Sequence, residues 1–174
     1  ELSVSKFSKS LVINSDDVQQ EFLDMYIEDN KEIRSYGFDH SEYKITASRL
    51  KNHFFKLNVE LGGDDFVSAE VPLVAKHSLR SYAAAVAVGD ILEMKPESIK
   101  KGLDKIKPPA GRMQILEAKE NSIIIDDSYN SSPLALEAAV SAFYDMNSTK
   151  KIAVLGMMNE LGVFSKLAHE KIGK

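Results

Sequence analysis

The sequence contains no cysteine, and this excludes several kinds of site at once. Among its 174 residues there is no thiol for a disulfide framework, a thiolate zinc site or a cysteine nucleophile. A chain without disulfides is compatible with a reducing compartment. We therefore expect the protein to be cytoplasmic.

Long apolar runs and dense basic clusters are also missing. The longest purely apolar run, Ala83 to Val88, is far shorter than the roughly 20 residues of a membrane-spanning helix, and the first residues lack the apolar core of a signal peptide. Lys and Arg number 22 against 26 Asp and Glu, which gives a net charge of -4, whereas nucleic-acid phosphates require a basic patch. We expect neither membrane insertion nor nucleic-acid binding.

The composition that remains is that of a globular protein. Hydrophobic residues make up 44% and charged residues 28%, so the chain can bury a core. The chain begins with Glu1 rather than Met and ends at Lys174 inside an amphipathic pattern. We therefore expect it to be a piece of a longer protein.

The first part of the chain predicts strands followed by helices. An apolar run at Leu11–Ile13 leads into a polar turn and then an apolar stripe from Val18 to Met25, which predicts strand, turn and helix. Between Ile33 and Val71 apolar and polar residues alternate, which favours antiparallel strands with a hairpin turn at Gly62–Asp64. Two helices are expected next, over Leu79–Met94 and from Pro96 to about Asp104.

The proline-dense stretch Lys107–Gly111 is the predicted domain boundary, which divides the chain into 1–107 and 108–174. Beyond it we predict a short strand at Met113–Ala118, a fully buried strand at Ser122–Asp126, a helix opening at Ser132–Pro133 and a second buried strand at Lys151–Gly156. The last three elements favour a parallel strand–helix–strand crossover. Such sheets bind ligands beyond the carboxyl ends of their strands, where Asp126–Asn130 and Gly156–Glu160 would lie.

The stretch Asp126–Pro133 carries the most chemistry. Two carboxylates at the end of a buried strand are costly unless they are paired, hydrogen-bonded or solvated. One carboxylate can accept both hydroxyls of a ribose diol, which favours a nucleotide site. A capped helix start with solvated acids explains the same residues. The residues alone leave both readings open.

Two other segments are weaker candidates. Arg112 after Gly111 could bind phosphate or ribose oxygens with its guanidinium fork, or could be a surface residue at a domain junction. The loop Gly156–Gly162 could direct Glu160 at a ligand, but it lacks the Gly-Lys-Ser/Thr ending of a phosphate loop. No pair among the four histidines has the spacing of a helical metal site, so we predict no metal ligands.

Taken in order, these segments resemble the Mur ligases of bacterial cell-wall synthesis. Within that family they are most similar to the branch that joins D-alanyl-D-alanine to a UDP-N-acetylmuramoyl tripeptide. The resemblance covers most of the chain and rests on five stretches: Ile13–Asp17, His77 with Tyr82–Ala85, Pro109–Arg112, Asp126–Pro133, and Val154–Gly162 with Ser165 and His169.

The resemblance implies an α/β fold in two parts. Residues 1–107 would be the end of the central ATPase domain, a mixed sheet plus helices, and residues 108–174 the start of the Rossmann-like C-terminal ligase domain. The activity implied is ATP-dependent amide-bond formation through an acyl phosphate, with ATP and Mg²⁺ as cofactors. The catalytic residues, the phosphate loop and the magnesium ligands would lie upstream, so this chain alone is expected to be inactive.

The resemblance also implies roles for particular residues. Arg112 would contact the ribose or phosphates of the nucleotide and Asp127 its ribose hydroxyls, while Tyr129 and Asn130 would line the nucleotide and dipeptide region. His77 and Ser81 would contribute to the nucleotide site from the other part of the chain. The family usually has asparagine where this chain has Ser78 and Ser81, commonly has aspartate at Met157 and commonly has asparagine at Ser132.

Two alternative functions remain open. One is another ligase of the same superfamily, of the folylpolyglutamate synthase type or the type that adds the third peptide residue, which would differ at positions 127 to 133. The other is a non-catalytic nucleotide-binding domain, for which the serines at 78 and 81 are the best support, because one hydroxyl does not replace a bidentate amide.

Overall fold

A computed structural model describes residues 8–18, 32–50, 54–62, 65–72 and 78–173. These residues fall into two compact units. The first contains the described residues up to Pro72 together with Ser78–Ile106, and the second contains the described residues from Lys107 onward. No helix in the described ranges is both long and apolar enough to cross a membrane.

The first unit is built on a mixed five-stranded sheet whose strands lie in sequence order. The first three strands pair in parallel, and the third, fourth and fifth pair antiparallel. Its strands are β1 (Ser10–Asn14), β2 (Glu32–Gly37), β3 (Tyr43–Arg49), β4 (Phe54–Gly62) and β5 (Asp65–Pro72).

The antiparallel prediction holds for β3, β4 and β5 but was wrong for β2. This strand pairs in parallel with β1 along its length and with β3 at two positions, Tyr36 opposite Tyr43 and Gly37 opposite Lys44. Alternation of apolar and polar residues reports which face of a strand is buried and not the direction of its neighbour, so the pattern could not distinguish the two pairings. The predicted helix after Val18 and most of the predicted Gly62–Asp64 turn lie outside the described residues.

Two helices, α1 (Leu79–Ile91) and α2 (Pro96–Leu103), pack on this sheet and confirm the predicted helices. On β3 to β5 every second side chain is buried, as expected for a sheet with one face on the core and the other in water. Helix α1 contributes an alanine-rich face, which lets the helix approach the sheet closely. The buried side chains are Tyr43, Ile45, Phe55, Leu57, Val59, Val67, Ala69, Val71, Leu79, Tyr82, Ala83, Val86, Ala87, Ile99 and Leu103.

One polar contact lies within this apolar core. The hydroxyl of Tyr43 donates a 2.8 Å hydrogen bond to the carboxylate of Asp90 on α1. Burial and this hydrogen bond, in that order, raise the pKa of Tyr43 to about 12, from 10.0. The bond fixes β3 to the last turn of α1 and satisfies a hydroxyl that would otherwise be buried without a partner.

The raised pKa of Tyr43 predicts a loss of stability at alkaline pH. The unfolded tyrosine releases its proton near pH 10 and the folded one near 12, so the stabilisation is complete below pH 10 and is lost between pH 10 and 12. At about 1.4 kcal/mol per pKa unit, this loss amounts to roughly 2 to 3 kcal/mol. Because Tyr43→Phe loses the hydrogen bond to Asp90, it should be less stable than wild type at pH 9. The difference in urea-unfolding free energy should shrink from pH 10 to 11, because only the wild type loses stability there. A constant difference would contradict the assignment.

The second unit consists of a two-stranded antiparallel sheet and helices. Strands β6 (Gln114–Glu117) and β7 (Ile123–Asp126) pair in full register, and helices α3 (Pro133–Tyr144) and α4 (Ser165–Ile172) follow. As predicted, α3 begins at Ser132–Pro133, where the Ser132 hydroxyl accepts the amide of Ala135 at 3.4 Å. A small apolar cluster forms between α3 and the hairpin: Ala142 and Met146, surrounded by Met113, Ile115, Ile123, Ile125 and Phe143.

Two predictions for this unit were wrong. Strand β7 is only half-buried, because Ile124 is exposed on its outer face. Lys151–Gly156 forms no strand and is exposed, and among the described residues the predicted parallel crossover is therefore absent. An apolar run becomes a strand only where a neighbouring backbone supplies hydrogen-bond partners, and within the described chain nothing pairs with this segment.

Candidate functional site

The structure brings Arg112 and Tyr129 together on the surface of the second unit. The guanidinium carbon of Arg112 lies 4.2 Å from the centre of the Tyr129 ring, the geometry of a cation–π stack. Tyr129 is 70% exposed, so one face of the pair is accessible to a ligand. A planar cation stacked on an aromatic ring can contact both the charged and the flat parts of a nucleotide.

Asp127 lies at the same place, tied to the residue that follows Arg112. One of its carboxylate oxygens, Oδ1, accepts the backbone amide of Met113 at 3.0 Å. A carboxylate has about four acceptor sites, so this hydrogen bond leaves capacity for further donors such as a ribose diol. Arg112, Asp127 and Tyr129, which come from two segments of the sequence, therefore form one cluster.

Gly111 makes this arrangement possible. Its φ angle is +69°, which lies in the left-handed region, and its carbonyl oxygen accepts the amide of Tyr129 at 3.0 Å. A Cβ atom at this position would lie 3.1 Å from the Tyr129 nitrogen and 3.3 Å from the Tyr129 Cβ. Glycine allows the loop before β6 to contact the loop after β7 directly.

Gly111→Ala is expected to destabilise the second unit by about 1 to 2 kcal/mol, the cost of a left-handed backbone for a residue with a Cβ atom. The contact with Tyr129 would add to this cost. Gly102→Ala is the matched control: Gly102 lies within α2 with nothing near its Cβ position, so the substitution should stabilise by about 0.5 to 1 kcal/mol. Thermal unfolding should show a lower melting temperature for Gly111→Ala and a higher one for Gly102→Ala. Equal melting temperatures would contradict the backbone strain expected at position 111.

The remaining residues of the Asp126–Pro133 stretch shape the loop. Asp126 Oδ1 accepts the amide of Ser128 at 3.1 Å, and Asn130 Oδ1 accepts the amide of Ser131 at 2.9 Å. Asn130 is exposed beside Tyr129 in the chain. The prediction of a capped helix start is thus correct for Ser132. The carboxylate of Asp127 instead accepts a hydrogen bond from Met113, in the segment of Arg112.

Ser81 and His77 are the other two predicted site residues. Ser81 lies exposed in the first turn of α1, in the first unit. His77 lies outside the described residues. The described residues contain no group of three or more His, Asp or Glu side chains that could hold a metal ion.

Comparisons with known proteins agree with this architecture. Residues 111–174 match the family model described as Mur ligase, glutamate ligase domain. The UDP-N-acetylmuramoyl-tripeptide–D-alanyl-D-alanine ligases of Bacillus subtilis and Escherichia coli are 30% and 29% identical to the chain, over 145 and 136 residues. Residues 111–174 thus belong to the Mur ligase family, and most of the chain is similar to Mur ligases.

Solved structures of Mur ligases are also similar to most of this chain. MurF from Acinetobacter baumannii superposes with a TM-score of 0.80 at 26% identity, covering 94% of this chain and 35% of that one. The two bacterial relatives are matched over 80% and 77% of this chain but only 30% and 29% of their own length. The chain thus spans about a third of the length of the relatives it matches.

Sequence reasoning missed the contacts that His169 and Arg80 make. Nε2 of His169 accepts the amide of Met158 at 3.0 Å, and its Nδ1 lies 2.8 Å from the Ser165 carbonyl oxygen, so His169 connects α4 to the loop before Glu160. Arg80 forms an ion pair with Asp16 in the first unit. Of these contacts, only the one between Ser165 and His169 joins residues at a recognisable spacing. Their four-residue separation would have indicated the helix.

Proposed function

We propose that this chain is part of an ATP-dependent ligase that adds D-alanyl-D-alanine to a UDP-N-acetylmuramoyl tripeptide in peptidoglycan synthesis. The B. subtilis and E. coli relatives carry this activity in their names. In such a protein ATP would supply the phosphoryl group that activates the peptide carboxylate, with Mg²⁺ bound by residues upstream. The ligase would act in the cytoplasm, and its product would serve cell-wall growth, cell shape and division.

The cluster of Arg112, Asp127 and Tyr129 is the observation that carries this proposal. It offers a cation for phosphate or ribose oxygens, a carboxylate for ribose hydroxyls and an exposed aromatic face. Asn130 and Tyr129 would border the incoming dipeptide. Ser81 and His77 would approach the nucleotide from the part that we assign to the central ATPase domain, residues 1–107, with 108–174 assigned to the C-terminal ligase domain.

The chain by itself is proposed to lack ligase activity. None of its glycines lies in a Gly-x-x-x-x-Gly-Lys-Ser/Thr sequence, the loop whose amides hold the phosphates of ATP in many ATPases. Its own residues would bind and orient the nucleotide. They would not position the peptide carboxylate or the phosphoryl group of ATP for reaction.

Phosphate release by the full-length protein tests the proposed function. Release should require ATP, the UDP-N-acetylmuramoyl tripeptide and D-alanyl-D-alanine together. If glutamate or a diamino acid replaces the dipeptide as the productive amine, the protein is a different ligase of the superfamily. If ATP binds without any turnover, the protein is a nucleotide-binding domain, and the ligase proposal fails.

A further inference from the structure

A buried carboxylate in the first unit joins two strands to the start of a helix. Asp16 follows β1, and both of its carboxylate oxygens accept the amide of Phe38, which follows β2, at 3.0 and 3.2 Å. The Nε of Arg80, in the first turn of α1, donates to Oδ2 of the same carboxylate at 2.9 Å. The Asp16 side chain is only 9% exposed, so these partners offset the cost of its burial. We refer to these three residues as the Asp16 clasp.

Arg80 occupies an unfavourable place for a cation. The first turn of a helix carries partial positive charge, and α1 has no acidic residue there. Ser78, at the N-cap position, makes no capping hydrogen bond with its side chain. Among the described residues, α1 therefore lacks both a side-chain cap from Ser78 and a first-turn carboxylate. The ion pair with Asp16, supported by Asp17 at 3.6 Å, takes their place.

The neighbouring backbone is shaped around this carboxylate. A Cβ atom on Gly37 would lie 2.5 Å from Oδ1 of Asp16 and 2.8 Å from Oγ of Ser15, so any side chain here would displace the Asp16 carboxylate. The Asp16 amide donates to Oδ1 of Asn14 at 3.2 Å and fixes the turn after β1. Three separate segments thus converge on one carboxylate, and all of them belong to the first unit.

We propose that Asp16 and Arg80 are positioning residues for the nucleotide. Arg80 directly precedes Ser81, which is exposed and which the proposed function places at the nucleotide. By holding the first turn of α1 against the ends of β1 and β2, the clasp fixes the direction in which Ser81 presents its hydroxyl. This inference rests on the proposed function and adds two residues that do not themselves touch the ligand.

Titration of a non-hydrolysable ATP analogue into the full-length protein tests the clasp. Arg80→Gln and Asp16→Asn should each weaken binding by about tenfold, the order of effect seen when a supporting residue behind a ligand contact is removed. The KM for ATP should rise more than kcat falls. Arg80→Lys, which keeps the charge but loses the planar fork, should recover part of the affinity.

Lys100→Gln provides the matched control, because it breaks an exposed ion pair with Asp104 on α2, and it should leave affinity unchanged. If the clasp variants melt at a lower temperature but bind the analogue as tightly as wild type, the clasp only stabilises the fold and the proposal is overturned. If Arg80→Gln does not fold, Ser81→Asn decides: it should tighten binding less in Arg80→Lys than in wild type, and equal tightening overturns the proposal. A wild-type protein that does not bind the analogue refutes the proposed function itself.

Discussion

Replacing Leu57 by alanine is expected to lower the free energy of unfolding of the first unit by about 2 to 5 kcal/mol, the range for leucine-to-alanine changes in packed cores. Leu57 is fully buried at the centre of β4, with β3 and β5 on either side. Its removal would lose apolar burial and leave a cavity that paired strands cannot close. Urea unfolding followed by circular dichroism, together with hydrogen exchange of β3 to β5, would measure the loss.

Lys56→Ala is the control for this experiment. Lys56 neighbours Leu57 on the same strand but points to the solvent face, so its replacement should change stability by no more than about 0.5 kcal/mol. Hydrogen exchange should accelerate in the first unit only with Leu57→Ala. A Leu57 variant as stable as the Lys56 variant would contradict the assignment of Leu57 to the packed core.

Removing the carboxylate of Asp127 should have the largest effect on nucleotide binding. In the full-length protein, Asp127→Ala is expected to weaken binding of an ATP analogue by about 1.5 to 3 kcal/mol, the range for hydrogen bonds to a charged group. Asp127→Asn keeps an oxygen that can accept the Met113 amide and should lose less. Calorimetric titration of the analogue into each variant would measure these differences.

Asp126→Ala separates a ligand contact from a loop effect. Asp126 accepts the amide of Ser128 in the same loop, so its removal should reduce stability more than nucleotide affinity. If Asp126→Ala and Asp127→Ala weaken binding equally, the loop as a whole matters and Asp127 has no separate role. Equal affinities in all the variants would remove the ribose assignment.

Local patterns predicted the elements whose burial is decided within the chain itself. The alternation in β3 to β5 and the apolar stripe of α1 specify faces that their own neighbours cover, and the structure confirms them. Lys151–Gly156 has the apolar pattern of a buried strand, but a pattern carries no information about whether a partner is present. The parallel pairing of β2 could not be predicted for a similar reason. The direction in which a strand pairs depends on the path of the connections, which the alternation of residues does not report.

The candidate site was predicted only in part for a similar reason. Arg112, Asp127 and Tyr129 lie in segments whose residue types indicate ligand chemistry, and the structure brings them together. The clasp could not be found in this way, because Asp16 and Arg80 are 64 residues apart and nothing in the sequence pairs the two. Only the fold reveals that one buried carboxylate serves both of its partners.

The exposed segment Lys151–Gly156 has a consequence for the behaviour of this polypeptide in solution. Ile152 and Val154 are 68% and 92% exposed, and the four residues from Ile152 to Leu155 are apolar and contain neither proline nor charge. Short uncharged β-prone segments of this kind add to the open strands of other molecules and promote aggregation. Concentrated solutions of the chain should therefore form β-rich oligomers, and a charge introduced at Val154 should act as a gatekeeper that keeps the chain dispersed.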